Sequence, residues 1–158
     1  MKASVSIVLC TYNGAKYLSE QLESILAQTY PLHEIIIQDD NSTDETVNII
    51  HEYACKYSLI KFFENNSAHG VNGNFISAMQ RATGDYIAIS DQDDIWETDK
   101  IENQMNSIGK NLLCSGFSRP FSTDGSFAYF DHRKRNVNVV RMCFLGLPGH
   151  TLLFRREL

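Results

Sequence analysis

Short apolar runs alternate along the chain with longer stretches in which apolar residues recur every three or four positions. Val5 to Cys10 is almost continuously apolar, the pattern of a strand covered on both faces. Leu18, Leu22, Ile25 and Leu26 then share one helical face, and Pro31 is expected to end that helix. Glu34 to Gln38 reads as a second buried strand. Ser42 and Glu45 have capping-box spacing, with Val47, Ile50, Ala54 and Tyr57 as the helical stripe behind them. Leu59 to Phe63 and Tyr86 to Ile89 are two further strands, separated by a helix carrying Phe75, Met79 and Ala82. Ile101, Met105 and Ile108 mark the next helix. Leu112 to Phe117 and Thr151 to Phe154 read as strands, and Arg155 to Leu158 as the opening of a helix. Strands and helices alternating at this spacing predict an α/β domain with a mainly parallel sheet.

Composition narrows the class. The chain has 158 residues, 43% hydrophobic and 21% charged, which suits one globular domain and excludes a disordered tail, a collagen-like fibre or a coiled coil. Its formal charge of -5 speaks against nucleic acid as a partner. No apolar run reaches the roughly 18 to 20 residues of a membrane helix, and the first residues lack a secretion signal. Cys10, Cys55, Cys114 and Cys143 are widely spaced, which argues against a disulfide framework or a zinc site and fits a cytoplasmic location.

In open parallel sheets, ligands bind beyond the carboxyl ends of the strands. Those positions hold Thr11-Tyr12-Asn13-Gly14, then Asp39-Asp40-Asn41-Ser42-Thr43-Asp44, then Ser90-Asp91-Gln92-Asp93-Asp94-Ile95-Trp96. Asp39, Asp40, Asp91, Asp93 and Asp94 would crowd one edge with carboxylates, which raise one another's pKa unless a cation lies between them. A divalent ion resolves the conflict and lets an acidic edge hold a phosphate ligand. Asp91-x-Asp93 is a foothold for Mg²⁺ or Mn²⁺, because all-oxygen ligation disfavours zinc. Plainer readings stand beside these. Asp40 and Ser42 suit a turn and a cap, Tyr12 a half-buried aromatic, Trp96 a core anchor, the run His132 to Arg135 a solvated loop, and His150 a packed or solvent-facing side chain. No P-loop, dinucleotide fingerprint or nucleophile elbow occurs.

Taken together, Val5-Ser6-Ile7-Val8 through Thr11-Tyr12-Asn13, Gln28-Thr29-Tyr30-Pro31, Ile37 to Asp44, Gly84-Asp85-Tyr86-Ile87, Asp91 to Trp96 and Gly149 to Arg156 resemble the family 2 glycosyltransferases. The form Asp-Gln-Asp-Asp-Ile-Trp is similar to a bacterial branch that includes rhamnosyltransferases. The resemblance implies a GT-A type, Rossmann-like α/β/α sandwich with a mainly parallel central sheet. It further implies an inverting transfer of sugar from a UDP- or dTDP-linked donor to a saccharide or lipid-linked acceptor in bacterial cell-surface polysaccharide synthesis. Association with the inner face of the membrane would follow from a lipid-linked acceptor. By the same resemblance, Thr11, Tyr12, Asn13, Asp40, Asp91, Gln92 and Asp93 would bind the nucleotide sugar, with Asp40 accepting from the pyrimidine N–H. Asp91 and Asp93 would form the D-x-D element that holds Mn²⁺ or Mg²⁺, Asp93 being the best ligand.

Two departures from the family pattern matter. Its general base usually follows the block matching Gly149 to Arg156, so residues 1–158 are expected to be a donor-binding domain truncated before that base. Asn72 and Asn74 stand where some members place an arginine near the diphosphate, leaving Arg81 or the Arg133 to Arg135 run as the candidate cation. A nucleotidyltransferase and a non-catalytic nucleotide-binding module remain the alternatives.

Overall fold

The computed structural model of the chain describes residues 2–118 and 149–158; the basic run His132–Arg135 and Cys143 lie outside them. In order come β1 (Val5–Thr11), α1 (Leu18–Leu26), β2 (Glu34–Asp39), α2 (Thr46–Lys56), β3 (Ile60–Glu64), α3 (Val71–Met79), β4 (Tyr86–Ser90), α4 (Lys100–Ile108), β5 (Leu113–Ser115), a 3₁₀ turn (Gly149–Thr151) and β6 (Leu152–Arg155). The sheet runs β3-β2-β1-β4-β6-β5. β1 pairs in parallel with β2 and β4, and β2 with β3, whereas β6 is antiparallel to both β4 and β5.

The continuous apolar run of β1 has the expected cause, since all its residues are buried. Successive side chains point to opposite faces. Ile7 and Leu9 join Leu18, Leu22 and Ile25 of α1, Ile50 of α2 and Ile101 and Ile108 of α4 in one core. Val8 and Cys10 join Ile36, Ile87 and Ala78 of α3 in the other. With helices on both faces, this is the expected α/β/α sandwich. Among the described residues no helix is long and apolar enough to cross a membrane.

Several local expectations change. α1 stops at Leu26, ahead of Pro31; the N–H of its C-cap Ala27 donates back to the Glu23 carbonyl and that of Gln28 to the Ile25 carbonyl. Ser42 and Glu45 form no capping box. α2 begins at Thr46, whose backbone N–H donates to Asp44 Oδ1 at 3.0 Å, because the Ser42 hydroxyl is already committed to Asp39 Oδ1 at 2.5 Å. Tyr57 lies beyond α2 and is exposed; Thr46, Ile50, Tyr53 and Ala54 form the inward stripe. Arg155 closes β6, and the last residues make a turn instead of opening a helix.

The order 3-2-1-4 places a topological switch between β1 and β4. The loops leaving β1, β2 and β4 converge there.

Candidate functional site

A cleft of about 740 Å³ opens at this switch, lined by Tyr12 from the β1 end, Asp40 and Asn41 from the β2 end, His69 and Gly70 before α3 with Val71 at its start, and Asp91 to Asp93 after β4. Cys10, Thr11, Asn74 and Phe75 complete its lining. Burial, reinforced by nearby Asp91 and Asp40, pushes the Cys10 thiol well above its usual range, so it serves as an inert wall.

The sequence-predicted residues divide into groups that face the cleft and groups that build it. Tyr12 is 59% exposed rather than half-buried, so its ring is free for a ligand. Gln92 also lines the cleft, yet its amide is spent on Tyr12: Oε1 accepts from the Tyr12 N–H at 2.9 Å and Nε2 donates to the Tyr12 carbonyl at 3.0 Å. Gly14 permits this clamp, because a Cβ there would run into the Gln92 amide. Thr11 is buried, and its hydroxyl donates to Asp39 Oδ1 at 2.7 Å. Asn13, in the left-handed region at φ 48°, ties loops together: its N–H donates to Ser42 Oγ at 2.8 Å and its Oδ1 accepts from the Thr43 N–H at 2.8 Å.

Adjacent aspartates in the second loop have opposite fates. Asp39 is buried, 1% exposed, and held by Thr11 and by the Ser42 hydroxyl and N–H, so it does not reach the cleft. Asp40 lines the cleft. Its Oδ1 accepts from His69 Nδ1 at 2.7 Å and Asn65 Nδ2 at 2.8 Å, and its Oδ2 from the Gly70 N–H at 2.7 Å. Burial pushes this carboxyl up, but the bonds from His69, Gly70 and Asn65 outweigh it and hold the group below its ordinary value.

The third loop carries the remaining charge. Asp91, Asp94 and His150 each present a ligand atom within 4.8 Å of the others, the arrangement a metal site needs. His150 Nδ1 lies 3.1 Å from Asp91 Oδ2 and 3.8 Å from Asp94 Oδ2. The hydrogen bond to Asp91 raises the imidazole pKa, burial opposes it, and Asp94 adds to the rise. Burial likewise raises the Asp94 carboxyl. Among the described residues, Asp94 Oδ2 and His150 Nε2 are buried atoms without a hydrogen-bond partner. The two carboxylates suit Mn²⁺ or Mg²⁺, while the imidazole makes the set a mixed oxygen and nitrogen one, which favours Mn²⁺ and removes the all-oxygen argument against zinc. The residues therefore fit a divalent ion. Asp93 is exposed on the cleft wall beside Asp91, outside this triad. Behind it the Lys100 ammonium sits 3.6 Å over the Trp96 ring, where burial brings its pKa down to about 8 against the pull of Asp94. Trp96 is the expected core anchor, 5% exposed. Arg81 packs over Phe63 and donates to Gln38, outside the cleft lining.

His69 and His150 were not expected here. His150 stands 59 residues from Asp91, so no local spacing joins them. Antiparallel β6 does so, since Leu153 pairs with Ala88 and the start of β6 therefore lies beside the end of β4.

The family model for glycosyl transferase family 2 matches residues 6–157. An Escherichia coli relative, UDP-Glc:alpha-D-GlcNAc-diphosphoundecaprenol beta-1,3-glucosyltransferase WfaP, is 44% identical over 114 residues, covering 72% of this chain and 45% of its own. The dTDP-rhamnosyl transferase RfbG of Shigella flexneri is 41% identical over 105 residues, covering 63% and 36%. Among solved structures, the mannosyltransferase PcManGT from Pyrobaculum calidifontis, in complex with GDP-Man and Mn²⁺, superposes with a TM-score of 0.76 at 25% identity, over 99% of this chain and 46% of its own. The chain spans about half the length of the curated relatives it matches. It belongs to glycosyl transferase family 2, and its sandwich is the fold of that family's solved glycosyltransferases.

Proposed function

We propose that this family 2 chain holds the donor-binding half of an inverting transferase that takes a sugar from UDP or dTDP and passes it to a saccharide or lipid-linked acceptor. The setting is cytoplasmic synthesis of bacterial cell-surface polysaccharide, with the lipid-linked case drawing the protein to the inner membrane face; the relative WfaP, named for a diphosphoundecaprenol acceptor, supports this. One observation carries the reading: the carboxylates after β4 stand on the same cleft as Tyr12 and Asp40 from the ends of β1 and β2. That puts a phosphate-handling group and a base-handling group within one ligand's reach.

Tyr12 offers an exposed ring for a nucleobase, and Gln92 holds its backbone in place. Asp40 accepts the ring N–H of the base. Asp91 and Asp93 form the D-x-D element by resemblance, and Asp91 with Asp94 and His150 would hold the ion. A bound Mn²⁺ or Mg²⁺ supplies charge stabilisation for the departing nucleoside diphosphate. The acceptor hydroxyl loses a proton as it attacks the anomeric carbon, which requires a general base. The relatives are about twice as long as the matched region, and we assign that base to the part of such a protein that this chain does not match, so the chain alone is expected to turn over little.

Titration with UDP, dTDP and GDP, with and without Mn²⁺, tests the reading. It predicts nucleotide affinity that rises with the metal; indifference to the metal, or to every nucleotide, contradicts it and favours a binding module of another kind.

A further inference from the structure

We propose that His69 sets the base preference of the cleft, by restricting Asp40 to a single acceptor position that suits uracil or thymine and refuses guanine. The inference rests on the nucleotide-sugar reading above.

A carboxylate offers about four lone-pair positions, two on each oxygen. On Asp40, His69 Nδ1 and Asn65 Nδ2 fill both positions of Oδ1, and the Gly70 N–H fills one of Oδ2. One position remains on a carboxylate that lines the cleft. Uracil and thymine each carry one ring N–H, flanked by carbonyls, which matches one acceptor. Guanine presents a ring N–H beside an exocyclic amine, and a carboxylate reads that pair with one acceptor on each oxygen. With Oδ1 full, the amine would stay unpaired, and an unpaired buried donor is penalised.

His69 is held for this purpose in a way a merely solvated loop histidine is not. It lies in the loop between β3 and α3, its side chain is 59% exposed, and among the described residues its charged contact is the short one to Asp40. Asn41 Nδ2, at 3.4 Å from the same ring nitrogen, is the weaker neighbour. Asp40 is only 11% exposed, so its acceptor positions are not freely refilled by water. Removing the imidazole would leave Asn65 and Gly70 in place and free one position on Oδ1. That is the position the guanine amine needs.

The test measures affinities of the full chain for UDP and GDP in Mn²⁺ buffer, with pyrophosphate as the control for diphosphate binding alone. Wild type is expected to prefer UDP over GDP by about tenfold or more, the effect of one unpaired polar group. His69→Ala should tighten GDP relative to UDP, so that the ratio falls about tenfold whatever the change in UDP affinity itself. His69→Gln, whose amide can refill the position, should keep the wild-type ratio. A general loosening of the site would weaken both nucleotides together and leave the ratio unmoved. The inference is overturned if the ratio is the same in wild type and His69→Ala, if wild type shows no preference for UDP over GDP, or if pyrophosphate binds as well as UDP. Wild type binding no nucleotide would instead remove the nucleotide-sugar reading itself, and this inference with it.

Discussion

Single side chains in this protein divide between those that meet a ligand and those that hold them in place, and identical residue types fall on both sides. Gln92 is the plainest holder. Its two bonds to the Tyr12 backbone contribute about 1 kcal/mol each, so Gln92→Ala is expected to weaken UDP binding by up to about thirtyfold by calorimetry, although the residue need not touch the base. Glu34 acts on stability. Burial pushes its carboxyl up, but bonds from Lys61, Ser6 and Thr83 prevail and bring it down to about 2. Because the folded value lies below the unfolded one, the stabilisation is full above the ordinary carboxylate range and fades as pH falls toward 2. Glu34→Gln should cost about 1 to 3 kcal/mol at neutral pH in urea unfolding, and the gap to wild type should close in acid. At this scale the sequence was informative about which loops matter and silent about which atoms are free. Asp39 and Asp40 are neighbours with the same chemistry, and only the fold reveals that Thr11 and Ser42 consume the first.

Elements were legible where periodicity was strong. β1, β2 and β4 are buried on both faces and read as continuous apolar runs; α1 and α4 show a clear one-sided stripe. Ile36, wholly buried on the α3 face, should cost about 2 to 5 kcal/mol when cut to alanine, a loss readable in urea unfolding. What stayed hidden was pairing direction. Thr151 to Phe154 looked like a strand, but nothing in a single strand's pattern says that it runs antiparallel, and that direction alone carries His150 to Asp91. The capping box failed for a related reason, since the tertiary bond from Ser42 to Asp39 competes with the local one. The loop after β1 offers its own test. Gly14→Ala should displace Gln92 and reproduce the Gln92→Ala loss of UDP affinity, with the fold retained.

At the level of the whole molecule, a sheet ordered β3-β2-β1-β4-β6-β5 gathers residues from five separate segments onto one edge. Family membership and the D-x-D spacing could be read from residues in line; the Asp91, Asp94 and His150 triad and the Asp40 to His69 contact arise only when that sheet closes. Under the proposed function, carboxylates on this edge meet a phosphorylated ligand through a divalent ion. Manganese electron paramagnetic resonance reads that ion directly. In the presence of UDP, the signal of free Mn²⁺ should fall in proportion to added protein and should not do so with Asp91→Asn. A free-ion signal that wild type leaves unchanged, or that both proteins deplete equally, would contradict the claim.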